Sequence, residues 1–395
     1  MNVQTPHSER RVHLDAATAG HTPAAVRAVV TESLHREDEY GTHELEEYLE
    51  DVVHTEVHER LGALLSVPAS DTATVTGAAD AFRDLLGRLP LGPGDRIWTT
   101  PYEDVARLTA LFALRDRTRC RLDVVPLDAD GDLDLEWMSA HIDDDVALVS
   151  VPLVPAACGI VHPVEEIGRI LAPHRCLYAV DASYAIGQLP VDAARIGCDQ
   201  LTADGWRFLG GPPSAGFTHT TPRLRSTLAQ GAPALEQAPH SAAVAGLNTA
   251  LILHEKETAA PRENLYPYLR ETVERTPGTA LIAPGRTQSG ILAFHHTERP
   301  AAQLRRELAA RGILLRKTVA QEMPLYLPER GITTALHASL HQDSTPQDIT
   351  RLGQALTEIA NAHRSTTTPL PRAVGDPPAA RPRPQRGTRG HLTLL

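Results

Sequence analysis

Between Thr72 and Thr220 the sequence keeps switching its apolar period, and this alternation constrains the fold more than any other feature. Short β-branched runs (Thr72 to Thr76, Arg96 to Thr99, Leu122 to Leu127, Val146 to Val151, Cys176 to Val180, Asp199 to Ala203, Gly216 to Thr220) read as strands. Most are separated by segments with helical spacing: Ala78 to Leu89, Asp104 to Arg115, Leu135 to Ile142 and Pro163 to Leu171. A chain that alternates in this way builds a mainly parallel sheet with helices on both faces. In such a sheet ligands bind outside the carboxyl ends of the strands, so the loops after the runs are where chemistry is expected.

Flanking patterns complete the plan. Thr22, followed by Pro23, is expected to cap a helix carrying Val26, Val29, Val30 and Leu34, and Glu44 to Leu65 reads as one longer helix. After His240 come helices over Ala242 to Lys256 and Glu263 to Glu274. Short strands (Ala280 to Ile282, Gly290 to His295, Ile313 to Arg316, Thr334 to Ser339) and a closing helix over Thr345 to Ala362 follow. The expected organisation is an N-terminal segment (1–21), a large domain (22–240), a small α+β domain (241–364) and a flexible Pro/Arg-rich tail (365–395).

Charge and cysteine content narrow the function. With 49 acidic against 38 basic residues the formal net charge is -11, which repels a phosphate backbone and disfavours nucleic acid as a partner. No run approaches eighteen uncharged apolar residues, so no membrane span is expected. Cys120, Cys158, Cys176 and Cys198 lack C-x-x-C spacing and read as reduced thiols, which suits the cytoplasm. His54 and His58 lie one helical turn apart, but no third ligand is identifiable and no metal is expected. Lys256 and Lys317 are the only lysines in the chain, so any chemistry that needs a lysine amine has two candidates.

Four segments taken in order carry a resemblance: His13-Leu14-Asp15-Ala16-Ala17-Thr18-Ala19; Thr76-Gly77-Ala78-Ala79-Asp80-Ala81; Val180-Asp181-Ala182-Ser183-Tyr184; and Asp204-Gly205-Trp206-Arg207-Phe208-Leu209-Gly210-Gly211-Pro212. The series resembles the class V aminotransferase and cysteine desulfurase family of pyridoxal phosphate enzymes. Within that family, the flow from Gly77 through Leu89 and the Tyr102 loop are most similar to ergothioneine-pathway carbon–sulfur lyases. The resemblance implies a fold-type I dimer: a seven-stranded, mainly parallel sheet in a large domain, a small α+β domain, and active sites at the dimer interface. It also implies a lysine that forms an imine with the cofactor, and the matching position is Arg207. A guanidinium stays protonated and is a poor nucleophile, so it cannot form that imine.

Other matching positions depart as well. Ala79 replaces a hydroxyl-bearing phosphate donor, and the run Pro155-Ala156-Ala157-Cys158-Gly159 replaces an Asn or Ser. Tyr184 replaces a Gln or His, Trp206 a His or Arg, and His337 the arginine that clamps a substrate carboxylate. Asp181, which in the family pairs with the pyridine nitrogen, is kept.

These residues set the expectations. No cofactor is expected, with noncovalent pyridoxal phosphate held open. Arg207 and Asp181 are expected either to pair with each other or to bind opposite ends of a small-molecule substrate, Arg207 taking an anionic group. Proton transfer falls to Asp181, Asp204 or Tyr184. Tyr102, Trp206, Thr76, Gly77, Ala78, Cys158 and His337 are the expected substrate-binding surroundings. The expected function is a repurposed enzyme without pyridoxal phosphate, with natural-product biosynthesis as one setting, working as a homodimer. The alternatives are a non-catalytic subunit paired with an active homologue, and an aminotransferase or lyase using noncovalent cofactor.

Overall fold

The computed structural model describes residues 11–228, 238–258 and 264–366, so most of the Pro/Arg-rich tail lies outside the described residues. In chain order the strands are β1 (Val12–Leu14), β2 (Thr72–Val75), β3 (Arg96–Thr99), β4 (Arg121–Val124), β5 (Val146–Pro152), β6 (Leu177–Asp181), β7 (Gln200–Asp204), β8 (Gly216–Thr220), β9 (Thr279–Ile282), β10 (Ile291–His296), β11 (Ile313–Val319) and β12 (Thr334–Ser339). Seven of them form one sheet in the order β2-β8-β7-β6-β5-β3-β4. Neighbours are parallel from β7 through β6, β5 and β3 to β4, and β8 runs antiparallel to both β7 and β2. β6 and β7 are buried along their whole length, as central strands covered on both faces must be.

The helices over the sheet follow from simple patterns. In Ala78–Arg88, the buried Ala81 adjoins Phe82, Leu85 and Leu86, an apolar stripe that packs with Ile97, Leu111 and Leu148. Val105–Thr118 starts where the Asp104 carboxylate accepts the Ala106 and Arg107 N–H groups, which satisfies two donors that a helix start leaves free.

A second sheet, β1-β11-β12-β10-β9, packs against helices Tyr266–Glu274, Ala301–Ala310 and Pro346–Thr366. Its edge strand β1 comes from the stretch assigned to the N-terminal segment, and it pairs in parallel with β11. The helix Ser241–Thr258 lies with the main core, through Val244, Leu247, Ala250 and Leu251, rather than with this second sheet.

Three local expectations are corrected. The first helix is Ala24–Tyr40, with Pro23 at its N-cap and no side-chain cap, so Thr22 does not cap it. The stretch from Glu44 to Leu65 is not one regular helix: Thr42–Tyr48 and Val57–Leu65 are separated by a wide π turn at Val52–Glu56. That turn rephases the helix, so that Leu45 and Leu49 meet Ala245 while Val57, Leu61 and Leu65 enter the main core. β4 stops at Val124, two residues before Pro126, which has no N–H to give a ladder.

Candidate functional site

Outside the carboxyl ends of β6 and β7 lies a cleft of about 190 Å³. It is bounded by the N-termini of helices Ala78–Arg88 and Val105–Thr118 and by Arg316 of β11 with Glu322. Asp181 ends β6 and Asp204 ends β7, so the sheet delivers both carboxylates to the cleft. Ser183 links them: its N–H donates to Asp181 Oδ1 at 2.9 Å, and its Oγ accepts the Asp204 N–H at 3.1 Å.

The Asp204 carboxylate is fully engaged. Its Oδ1 accepts the Ala78 N–H at 3.0 Å, at the start of helix Ala78–Arg88, and its Oδ2 lies 2.8 Å from Arg207 Nη2. Arg207 also donates to the carbonyl of Ala17 at 2.8 Å and stacks over the Tyr184 ring, with Cζ 4.1 Å from the centroid. Burial raises the Asp204 carboxyl above its ordinary range, and Arg207 pulls it back. The backbone reinforces this arrangement, because Gly20 donates to the Trp206 carbonyl at 2.8 Å and passes so close that an added Cβ would lie 1.7 Å from the Arg207 carbonyl oxygen.

The expected Arg207–Asp181 ion pair is therefore corrected. Arg207 pairs with Asp204 because the turn after β7 folds a residue three positions on back over that carboxylate. It follows that Arg207 is committed and is not a free fork for a substrate anion.

Of the expected surroundings, Ala78 lines the cleft beside Tyr184, and Gly77 is the N-cap of the helix that Ala78 begins. The other expected contacts are corrected. Thr76 donates its hydroxyl to Asp80 Oδ2 at 2.8 Å. The Trp206 ring does not line the cleft but lies over Gly77, 3.5 Å from where a Cβ would be. Tyr102 is wholly buried, donates to the Gly131 carbonyl, and packs against Tyr326 and His162. Cys158 is wholly buried behind the wall, and burial pushes its thiol up to about 12, which makes it inert as a nucleophile. His337 is wholly buried with Nε2 2.9 Å from the Ala157 carbonyl, and burial drives its pKa down to about 3. These three sit on the right loops and strands, but their side chains face the core.

Several cleft residues escaped the sequence reading. Asp104 had a legible signal, a carboxylate just before a helix. Glu103 and Arg107 had the i,i+4 spacing of a helical ion pair. Buried together, Arg107 Nε lies 3.2 Å from Glu103 Oε1, Arg107 donates to Ser150 and Thr202, and Ser150 donates to Glu103. Arg316 pairs with Glu322, and register puts it beside His337, one strand over from where a carboxylate-binding arginine was sought. Among the described residues no cluster of three or more His, Cys, Asp or Glu is arranged to hold a metal, and no helix is long and apolar enough to cross a membrane.

A parallel sheet with this strand order, and a cleft at the ends of its central strands, defines an α/β scaffold of the fold-type I kind. The chain belongs to the aminotransferase class-V family, which it matches over residues 12–352. A probable cysteine desulfurase of Methanothermobacter thermautotrophicus is 25% identical over 390 residues, covering 88% of this chain and 94% of the relative. A probable cysteine desulfurase of Halobacterium salinarum is 29% identical over 209 residues, a match that spans only 50% of that relative. The apo structure of a cysteine desulfurase from Thermococcus onnurineus superimposes with a TM-score of 0.79 at 19% identity, covering 89% of this chain and 95% of that one.

The family resemblance implies pyridoxal phosphate, which asks two things of this cleft: a primary amine after β7 and a free anion cradle at the start of helix Ala78–Arg88. The residues present do not fit it. The amine position holds Arg207, the Ala78 N–H already serves the Asp204 carboxylate, and neither Lys256 nor Lys317 lines the cleft. A negative side chain occupies the place at the helix start that suits an anion.

Proposed function

We propose that this chain is a class V aminotransferase-family protein that processes a small molecule without pyridoxal phosphate, as a homodimer. The observation that carries this reading is Asp204, whose carboxylate ties Arg207 to the first N–H of helix Ala78–Arg88. Arg207 acts as a pin that holds Asp204, the Ala17 carbonyl and the Tyr184 ring in place. Asp181 lines the cleft with its Oδ1 accepting the Ser183 N–H, which leaves Oδ2 to take or return a proton, and Tyr184 lines the same cleft. The absorbance spectrum and intact mass of the purified protein, with added pyridoxal phosphate and borohydride, test the reading. A colourless protein of unchanged mass is expected, and cofactor tied to any cleft side chain would overturn it.

The small cleft, filled in part by ion pairs, also supports a second reading as a non-catalytic subunit. Co-purification with a lysine-bearing homologue, and no turnover without it, would favour that reading.

A further inference from the structure

The charges around the cleft do not cancel. Its walls carry three guanidinium groups, and each has its own carboxylate: Arg207 with Asp204, Arg316 with Glu322, and Arg107 with Glu103, which lies behind the wall. Arg107 is further held by Ser150 and Thr202, so its charge is turned into the protein. Among the described residues two carboxylates on the walls have no ion pair of their own, Asp104 and Asp181, although Arg107 still acts on Asp104 and Asp181 on Arg207 through space.

Each of these has one oxygen in use and one to spare. Asp104 Oδ1 accepts the Ala106 and Arg107 N–H groups at 2.7 and 3.1 Å, and Asp181 Oδ1 accepts the Ser183 N–H. Among the described residues the second oxygen of each accepts no hydrogen bond, although Asp181 is only 7% exposed. A buried carboxylate with a free oxygen aimed into a cavity leaves unpaired charge where solvation is poor. The two groups feel each other: burial first, and then the Asp181 carboxylate, holds the Asp104 carboxyl above its usual range, against the opposing pull of the Arg107 guanidinium. The same walls carry the small apolar residues Ala78, Ala79, Ala106 and Ala156. The space, about 190 Å³, is below the roughly 300–1,000 Å³ of drug-sized pockets.

We infer that the cleft binds a compact organic cation, a primary ammonium on a short aliphatic chain, held between Asp104 and Asp181. This replaces the expected anionic substrate and rests on the reading of the cleft as a cofactor-free site. The ammonium donates to Asp181 Oδ2 and Asp104 Oδ2 while its chain lies on the alanine methyls. Binding involves no covalent step.

The test uses the full chain and calorimetric titration with n-butylammonium, the isosteric neutral 1-butanol, butyrate, inorganic phosphate and magnesium. The expected result is saturable binding of n-butylammonium at least tenfold tighter than 1-butanol, with no saturable binding of either anion. Asp181→Asn should weaken n-butylammonium at least tenfold, and the exposed Glu166→Gln should leave it unchanged. Tighter binding of butyrate or phosphate overturns the inference. So does equal affinity for the ammonium and the alcohol, which the unmodified protein reports even if Asp181→Asn does not fold. Binding of magnesium in place of the amine also overturns it. Failure of the amine to bind a protein that still rejects pyridoxal phosphate sinks this inference alone, whereas cofactor trapped by borohydride sinks the reading beneath it.

Discussion

Restoring the lysine should not restore the cofactor. Arg207→Lys supplies an amine after β7, but the Asp204 carboxylate still lies 3.0 Å from the Ala78 nitrogen, where a phosphate oxygen would have to sit. A phosphate lodged beside that carboxylate would be roughly 4 Å from it, and at an effective dielectric of about 20 the repulsion is about 4 kcal/mol per unit charge. That corresponds to roughly a thousandfold in affinity. The double variant Arg207→Lys/Asp204→Ser removes the charge and frees the helix N–H, so it should take up pyridoxal phosphate about a thousandfold more tightly than Arg207→Lys alone. Titration followed by visible absorbance, with borohydride reduction and intact mass for attachment, measures both. Stoichiometric uptake by Arg207→Lys with the affinity of the double variant would refute the claim that Asp204 blocks the cradle.

Other substitutions probe the same structure by stability. Arg207→Met leaves Asp204 largely buried without its cation and should cost about 3 kcal/mol in urea unfolding, while Arg207→Met/Asp204→Asn should lose less than half of that. Glu103→Gln strands the buried Arg107 and should cost about 3–5 kcal/mol, and adding Arg107→Met should recover most of it. His162 and His337 are both wholly buried with pKa pushed down to about 3, against 6.5 when unfolded. Each therefore adds stability that is complete above pH 6.5 and is lost as the pH falls toward 3, by about 2 kcal/mol between pH 7 and 5. His162→Phe should remove about that much acid sensitivity, checked by urea unfolding at the two pH values.

The sheet was legible because its strands are short, β-branched and punctuated, and because parallel strands buried on both faces leave continuous apolar runs such as Leu177–Val180. The helix over Glu44 to Leu65 was less legible. A π turn inserts its extra residue without any Gly or Pro, and only the change in which core Leu49 and Val57 face requires it. At the site, the residues that close it were visible but their partners were not. Asp204 and Arg207 lie three positions apart, a spacing that allows an ion pair only if the chain turns after β7; the Asp204-Gly205 dipeptide announces a turn but not that it brings Arg207 back onto Asp204. Tyr102, Cys158 and His337 lie on the right loops and strands with side chains facing the core, a choice made by packing against Tyr326, His162 and the Ala157 carbonyl rather than by local pattern.

The aspartate before the turn and the arginine after it belong together physically. A lone carboxylate buried at the end of β7 would be costly, and so would a lone guanidinium beside Tyr184. As a pair they satisfy each other, the Ala78 N–H and the Ala17 carbonyl. That closure removes both the amine position and the anion cradle in one arrangement. Among the described residues it leaves Asp181 and Asp104 as the carboxylates of the cleft walls that have no ion pair of their own. The cofactor-free cleft and the cationic ligand thus depend on the same pair, since opening Asp204–Arg207 would free the guanidinium to answer Asp181 and remove the charge excess that an ammonium would otherwise meet.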